Sequence, residues 1–148
     1  MDLPLFVYGI LRDPELLAGV LGRPLRAGEA LGGVAPGWRA SFAPNRRTPG
    51  LVRAPGGRAE GLVLLGLSPF EHDLVDQVEG DGFRRGIVPV MIEEELHEAQ
   101  AHLPTVPFSP GDPWSLAHWQ ATHKHADLPG EIARADALRQ RLIAIRPH

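Results

Sequence analysis

The sequence contains no cysteine, which excludes disulfide bonds, thiolate nucleophiles and cysteine-based zinc or iron–sulfur sites. It also has no apolar run near the ~18 residues of a membrane-spanning helix, and no basic region precedes an apolar stretch at its N-terminus. These absences predict a cytoplasmic protein that has no membrane partner.

Clustered positive charge is also missing. Lysine occurs only at position 124 and the arginines are scattered, while 15 basic and 18 acidic residues give a net charge of −3. A nucleic-acid partner is therefore not expected. Phosphate-loop, dinucleotide-binding, nucleophile-elbow and zinc-protease motifs are absent too. His118, His123 and His125 have no accompanying carboxylate motif, so they are interpreted as surface histidines, and no metal site is expected.

The first half of the chain contains clear local signals. At 148 residues, we expect one domain spanning 1–148. An apolar run predicts a strand over Leu5–Tyr8. Asp13 then occupies a helix N-cap position before Pro14, and Gly22 ends the predicted helix. Glycines and prolines interrupt the stretch 30–59, which predicts short strands and loops.

The second half begins with a buried strand predicted over 61–67. Ser68 and Glu71 form a capping box at the start of a helix that Gly80 ends. A strand is predicted over 86–96, and helices over 112–125 and 131–145. The predicted buried face of the capped helix contains Phe70, Leu74, Val75 and Val78, with His72 facing solvent. Because strands and helices alternate without a regular βαβ rhythm, the fold class is predicted to be α+β.

Glu79 occupies an unusual position for a carboxylate. It lies in the last turn of the predicted helix, where the negative end of the helix dipole disfavours its charge and raises its pKa. Such a group can act as a general base near neutral pH. The alternative interpretation is that Glu79 forms an ion pair with Arg84 or Arg85.

Two segments, "FVYGILRDPELL" and "LVDQVEGDGFRR", resemble motifs of the gamma-glutamylcyclotransferase-like family, which includes plant AIG2-like and butirosin-pathway enzymes. The family has a Y-G-[ST]-L loop after its first strand and later a segment similar to L-D-x-x-E-x-x-x-Y-x-R. Tyr8, Gly9 and Leu11 match the loop. Asp76, Glu79 and Arg85 match the second motif in order and spacing, and the resemblance covers roughly residues 4–100.

The resemblance implies a compact α+β fold with a mixed, barrel-like sheet and flanking helices. It also implies a small-molecule γ-glutamyl substrate, no cofactor, and a reaction in which the substrate's α-amine attacks its own γ-carbonyl. The products are 5-oxoproline and a free amine or amino acid. Because the nucleophile already belongs to the substrate, ring closure is intramolecular.

The same resemblance assigns roles to individual residues. Glu79 matches the family's general acid and base, and Tyr8 together with the backbone amides of Gly9, Ile10 and Leu11 matches the substrate-binding loop. Ile10 replaces the usual Thr or Ser and thus removes a hydroxyl group. Phe83 likewise replaces the usual Tyr and removes a phenol near Glu79. A second interpretation of the glycine is that it only permits a tight exit from the strand.

Two alternatives to the cyclotransferase remain open at this point. The substitutions at Ile10 and Phe83 favour a non-catalytic domain that binds a small ligand or a partner on the same scaffold. An amide hydrolase that uses the same carboxylate would release free glutamate in place of its cyclic form. The sequence does not indicate the group on the γ-carbonyl, the oligomeric state, or the role of residues 97–130.

Overall fold

The computed structural model describes residues 3–44, 46, 48–109 and 111–145. Strands and helices are mixed along the chain, which confirms the predicted α+β class. The elements are β1 Leu5–Val7, a 3₁₀ turn Ile10–Arg12, α1 Pro14–Leu21, β2 Ala30–Phe42, β3 Pro49–Leu64, α2 Pro69–Glu79, β4 Phe83–Ile92, β5 Glu95–Pro104, α3 Leu116–Thr122 and α4 Lys124–Ile145.

The five strands close into a barrel in the order β1-β3-β2-β4-β5. β1 pairs antiparallel with β3 and makes a parallel contact with β5 through Leu5 and Gln100. Alternate β1 side chains point to opposite faces, as strand geometry requires. Phe6 and Tyr8 therefore join the core inside the barrel, whereas Leu5 and Val7 pack in the core between barrel and helices.

The predicted ends of the first two helices are confirmed. The Asp13 side chain accepts a 2.9 Å hydrogen bond from the Leu16 amide, and Gly22 ends α1 in the left-handed region with φ of 75°. The Ser68–Glu71 capping box is complete at the start of α2, which ends at Glu79. These signals are local, so the sequence carries them without help from tertiary contacts.

The prediction of several short strands between 30 and 59 is wrong, because β2 and β3 form one long antiparallel pair. Pro36 and Gly37 of β2 and the segment 55–57 of β3 lie at an irregularity of this pair, where the register moves from Pro36 opposite Arg58 to Trp38 opposite Arg53. Gly37 and Gly56 have φ of 83° and 77° there. Turn-type residues thus mark a bulge in continuous strands.

The strand predicted over 86–96 is also wrong, since it merges the end of β4 with the start of β5. The two strands form a hairpin in which Ile92 pairs with Glu95. Glu93, in the intervening turn, has φ of 59°, a conformation that costs a residue with a side chain about 1 kcal/mol. No glycine, asparagine or aspartate marks this turn, which explains why the pattern concealed it.

The helices differ from prediction in their burial and bounds. His72 is buried, with 7% of its surface exposed, while Phe70 and Val78 are only partly buried, so the fully buried face of α2 consists of His72, Leu74 and Val75. α3 is shorter than the predicted 112–125 helix, and α4 begins before residue 131. Tertiary packing of α2 overrides the simple apolar pattern. No helix in the described part of the chain is both long and apolar enough to cross a membrane.

Candidate active site

The loop that follows β1 forms a tight turn with a distinct hydrogen-bond pattern. The amide of Arg12 donates to the Gly9 carbonyl at 3.1 Å, and the amide of Asp13 donates to the Ile10 carbonyl at 2.9 Å. The turn is therefore closed by donors at its C-terminal end. The first amides of such a turn, those of Gly9, Ile10 and Leu11, are not used in closing it.

Gly9 has little space around its Cα atom. Its φ of −111° is accessible to any residue, but an added Cβ would lie 3.2 Å from Cδ of Pro49 on β3. The glycine therefore permits a close approach between this loop and β3. The glycine is therefore favoured here because a side chain would crowd Pro49, and not because the backbone is left-handed.

A pocket of about 80 Å³ lies where this loop meets the C-terminal end of α2. The predicted residues come together here, because Tyr8, Gly9, Ile10, Leu11 and Glu79 all line it. The other lining residues include Phe6, Val7, Leu16, Val20, Arg46, Thr48, Pro49, Val78, His102, Glu131 and Arg134.

The pKa of Glu79 is raised, chiefly because burial removes water from its carboxylate. Positive charge from His102, Arg46 and Arg134 acts in the opposite direction, while Glu131 adds to the increase. The expected direction of the shift thus agrees with the structure, although the largest cause is desolvation and not the helix dipole. A carboxylate with this environment holds a proton more readily than an exposed glutamate does.

The alternative in which Glu79 pairs with a following arginine does not hold. Arg85 instead contacts Asp76, with 3.1 Å between Nε and Oδ1, and donates to Gln100 at 3.1 Å. The side chain of Arg84 is exposed. Arg85 thus pairs with Asp76 and not with Glu79.

Asp76 also contacts His102, which the sequence analysis did not single out. Nε2 of His102 lies 2.7 Å from Oδ1 of Asp76, and only 4% of the histidine is exposed. Asp76 and Glu79 are three residues apart on α2, so they share one face of that helix. Strand alternation places His102 on the face of β5 opposite to Ala99 and Ala101, but its partner Asp76 is 26 residues away and carries no sequence signal.

The phenol of Tyr8 is engaged within the protein. It donates a 2.6 Å hydrogen bond to the backbone carbonyl of His102. Burial raises the pKa of Tyr8, and the nearby Glu79 charge raises it further. The hydroxyl therefore stays protonated and fixes the position of β5 beside β1.

Phe83, which replaces the tyrosine of the family motif, contacts a charged group of the pocket. The guanidinium carbon of Arg46 lies 4.6 Å from the centre of the Phe83 ring, within cation–π range. Arg46 also lines the pocket with Glu79. The ring at position 83 thus supports a cation that faces the carboxylate, although it lacks a phenol.

The other candidate residues lie apart from this pocket. Trp114 and Trp119 are buried in the core, with 8% and 1% of their surfaces exposed. The rings of His118 and His123 are 5.9 Å apart in an edge-on arrangement. Among the described residues, no group of three or more histidine and acidic side chains is arranged to hold a metal ion.

The chain is similar to known proteins over most of its length. The sequence profile of the family described as gamma-glutamyl cyclotransferase, AIG2-like, matches residues 5–121. The chain belongs to this family. AIG2-like protein A of Arabidopsis thaliana is 28% identical over 124 residues, which cover 80% of this chain and 73% of the relative. The predicted family is therefore confirmed, and the match extends beyond the two motifs.

Solved structures have the same fold. A solution structure from Arabidopsis thaliana aligns with a TM-score of 0.66 and 21% identity, covering 96% of this chain and 82% of that one. A structure titled gamma-glutamyl cyclotransferase aligns with a TM-score of 0.59 and 15% identity, covering 100% of this chain and 90% of that one. These similarities confirm the predicted gamma-glutamyl cyclotransferase fold.

Proposed function

We propose that this member of the AIG2-like family is a cofactor-free cyclotransferase that converts a γ-glutamyl amine or γ-glutamyl amino acid to 5-oxoproline. The observation that carries the proposal is the pocket in which Glu79 and the loop Gly9–Leu11 meet. It brings together a desolvated carboxylate and main-chain amides from segments 68 residues apart in the sequence (79 − 11).

The reaction requires little beyond these groups. Glu79 accepts a proton from the substrate α-ammonium, and the freed amine attacks the γ-carbonyl to form a C–N bond. The carbonyl oxygen becomes an oxyanion, which amides of the loop stabilise. Glu79 then protonates the leaving nitrogen, the original C–N bond breaks and the carbonyl re-forms, while the second proton lost by the ring nitrogen passes to the released amine. The raised pKa of Glu79 suits a group that both accepts and returns a proton.

Charges around the pocket support an amino-acid ligand. Arg46 and Arg134 line it with Glu79. Arg134 is held by a 2.8 Å hydrogen bond to the Val78 carbonyl and a 3.3 Å contact with Glu131. A guanidinium fixed in this way is suited to a carboxylate, such as the α-carboxylate of the γ-glutamyl group.

The test is incubation of the protein with a panel of γ-glutamyl amines and γ-glutamyl amino acids, followed by mass spectrometry for 5-oxoproline. Release by the wild type and its loss in Glu79→Gln, with an unchanged circular dichroism spectrum, is the expected result. Glu94→Gln serves as the matched control, because Glu94 is exposed in the β4–β5 turn.

Three other results would contradict the proposal. Full activity in Glu79→Gln would remove the carboxylate from the mechanism. Thermal stabilisation by a γ-glutamyl compound without turnover would indicate a binding domain instead. Release of free glutamate in place of 5-oxoproline would indicate an amide hydrolase.

A further inference from the structure

The proposed cyclisation moves two protons between nitrogen atoms, so a second group besides Glu79 is needed to hold a proton. The substrate α-nitrogen begins as an ammonium with three hydrogens and ends as a lactam nitrogen with one. The leaving nitrogen begins as an amide with one hydrogen and ends as an ammonium with three. Two protons therefore travel from one nitrogen to the other, whereas one carboxylate such as Glu79 holds a single proton at a time.

His102 is a titratable residue of the pocket that the steps described so far do not use. His102 lines the pocket together with Glu79, and a positive charge on its ring would lower the pKa of that carboxylate. On its other side it borders an open surface depression that Asp76 and Arg85 also line. His102 thus borders both the inner pocket and a region open to solvent.

The contact with Asp76 decides which ring nitrogen is basic. A carboxylate oxygen only accepts hydrogen bonds, so the 2.7 Å contact requires a proton on Nε2. In the neutral ring, Nδ1 is then the nitrogen that can accept a further proton. The resulting imidazolium would remain paired with Asp76, which Arg85 holds in place at 3.1 Å.

We propose that His102, oriented by Asp76, stores one of the two protons that leave the substrate α-nitrogen. This inference rests on the proposed cyclotransferase reaction. The first proton passes from the ammonium through Glu79 to His102, which leaves Glu79 free to take the second proton after the amine has attacked. Glu79 protonates the leaving nitrogen, the C–N bond breaks, and His102 returns its proton to the released amine.

Other charged and titratable groups around His102 are part of this arrangement. They come from several elements around the pocket, while α1 and β3 line it with apolar residues. They are Asp76 and Glu79 of α2, Tyr8 after β1, Arg85 of β4, Glu131 and Arg134 of α4, and Arg46.

The experiment compares kcat and KM of the wild type with those of His102→Gln at two pH values, using a γ-glutamyl alkylamine. At pH 6.5 the substrate carries an ammonium, and we expect kcat of the variant to fall about a hundredfold with little change in KM. At pH 9.5, above the α-amino pKa of about 8, only one proton must move. The deficit should then shrink to less than about threefold, by the same proton-transfer argument.

The matched control is His97→Gln. His97 lies on the same strand and also contacts a carboxylate, Glu95 at 3.5 Å, but its side chain is 46% exposed. We expect this variant to behave like the wild type at both pH values. Asp76→Asn is a second test variant, because it preserves an acceptor for Nε2 while removing the negative charge beside the imidazole. If His102→Gln does not fold, Asp76→Asn tests the role of His102 in its place.

The outcomes separate this inference from the function on which it rests. An equal loss of kcat in His102→Gln at both pH values would mean that His102 only supports the structure. A kcat that is unchanged in this variant would overturn the inference outright. A wild-type rate in Asp76→Asn at pH 6.5 would also overturn it. A wild type that releases no 5-oxoproline would overturn both proposals, whereas an active wild type with an inactive Glu79→Gln leaves the cyclotransferase intact.

Discussion

The phenol of Tyr8 and the backbone carbonyl of His102 join β1 to β5 by a 2.6 Å hydrogen bond between residues 94 positions apart. The bond places the residue before the Gly9 loop beside the histidine that contacts Asp76. It thereby connects the two halves of the candidate site, one from the start of the chain and one from β5.

Tyr8→Phe is expected to reduce the free energy of unfolding by about 1–2 kcal/mol, because a buried carbonyl loses its donor. The aromatic packing inside the barrel is preserved, so the fold should remain. Chemical denaturation monitored by circular dichroism measures the change. An unchanged free energy of unfolding would show that the Tyr8–His102 bond does not stabilise the barrel.

The raised pKa of Glu79 predicts the acidic limb of the activity profile. The base must be ionised to accept the ammonium proton, so kcat/KM should fall as the pH decreases through the pKa of Glu79. Because burial raises that pKa, kcat/KM should begin to fall at a higher pH than it would with an ordinary glutamate, whose pKa is about 4.3. A profile of kcat/KM against pH measures it. Activity that is constant down to the ordinary glutamate range would contradict this prediction.

The same shift predicts that Glu79 reduces stability at neutral pH. Its folded-state pKa exceeds the unfolded value, so the folded protein binds more protons between the two values and stability falls as the pH rises through that window. Glu79→Gln should therefore have a higher Tm than the wild type near pH 8, with a smaller difference near pH 4. Differential scanning fluorimetry at both pH values tests this, and Glu94→Gln should show neither effect.

Gly9→Ala is expected to impair turnover more than stability. The added Cβ would lie 3.2 Å from Cδ of Pro49, a contact tight enough to push the loop away from β3 and so to move its amides relative to Glu79. A displacement of this kind can lower kcat/KM by about tenfold or more. The control is Gly32→Ala on β2, where an added Cβ has no atom within 4 Å. Equal kcat/KM values for the two variants would contradict the prediction.

Much of the candidate site could be predicted because its signals are local. Glu79 precedes Gly80 at the end of a helix whose capping box is visible in four consecutive residues, Ser68 to Glu71. The loop after β1 is likewise marked by a strand that meets a proline-initiated helix. By contrast, the Glu93–Glu94 turn has no turn-type residue, and the glycines and prolines of β2 and β3 mark a bulge instead of strand ends.

The sequence alone determined the helix caps, the first strand and the position of Glu79 at the end of a helix. These features depend on backbone hydrogen bonding and side-chain periodicity within a few residues. Only the tertiary structure decided that His102 contacts Asp76 and borders the same pocket as Glu79. That arrangement depends on the register of β4 with β5 and on closure of the barrel, which bring distant side chains together.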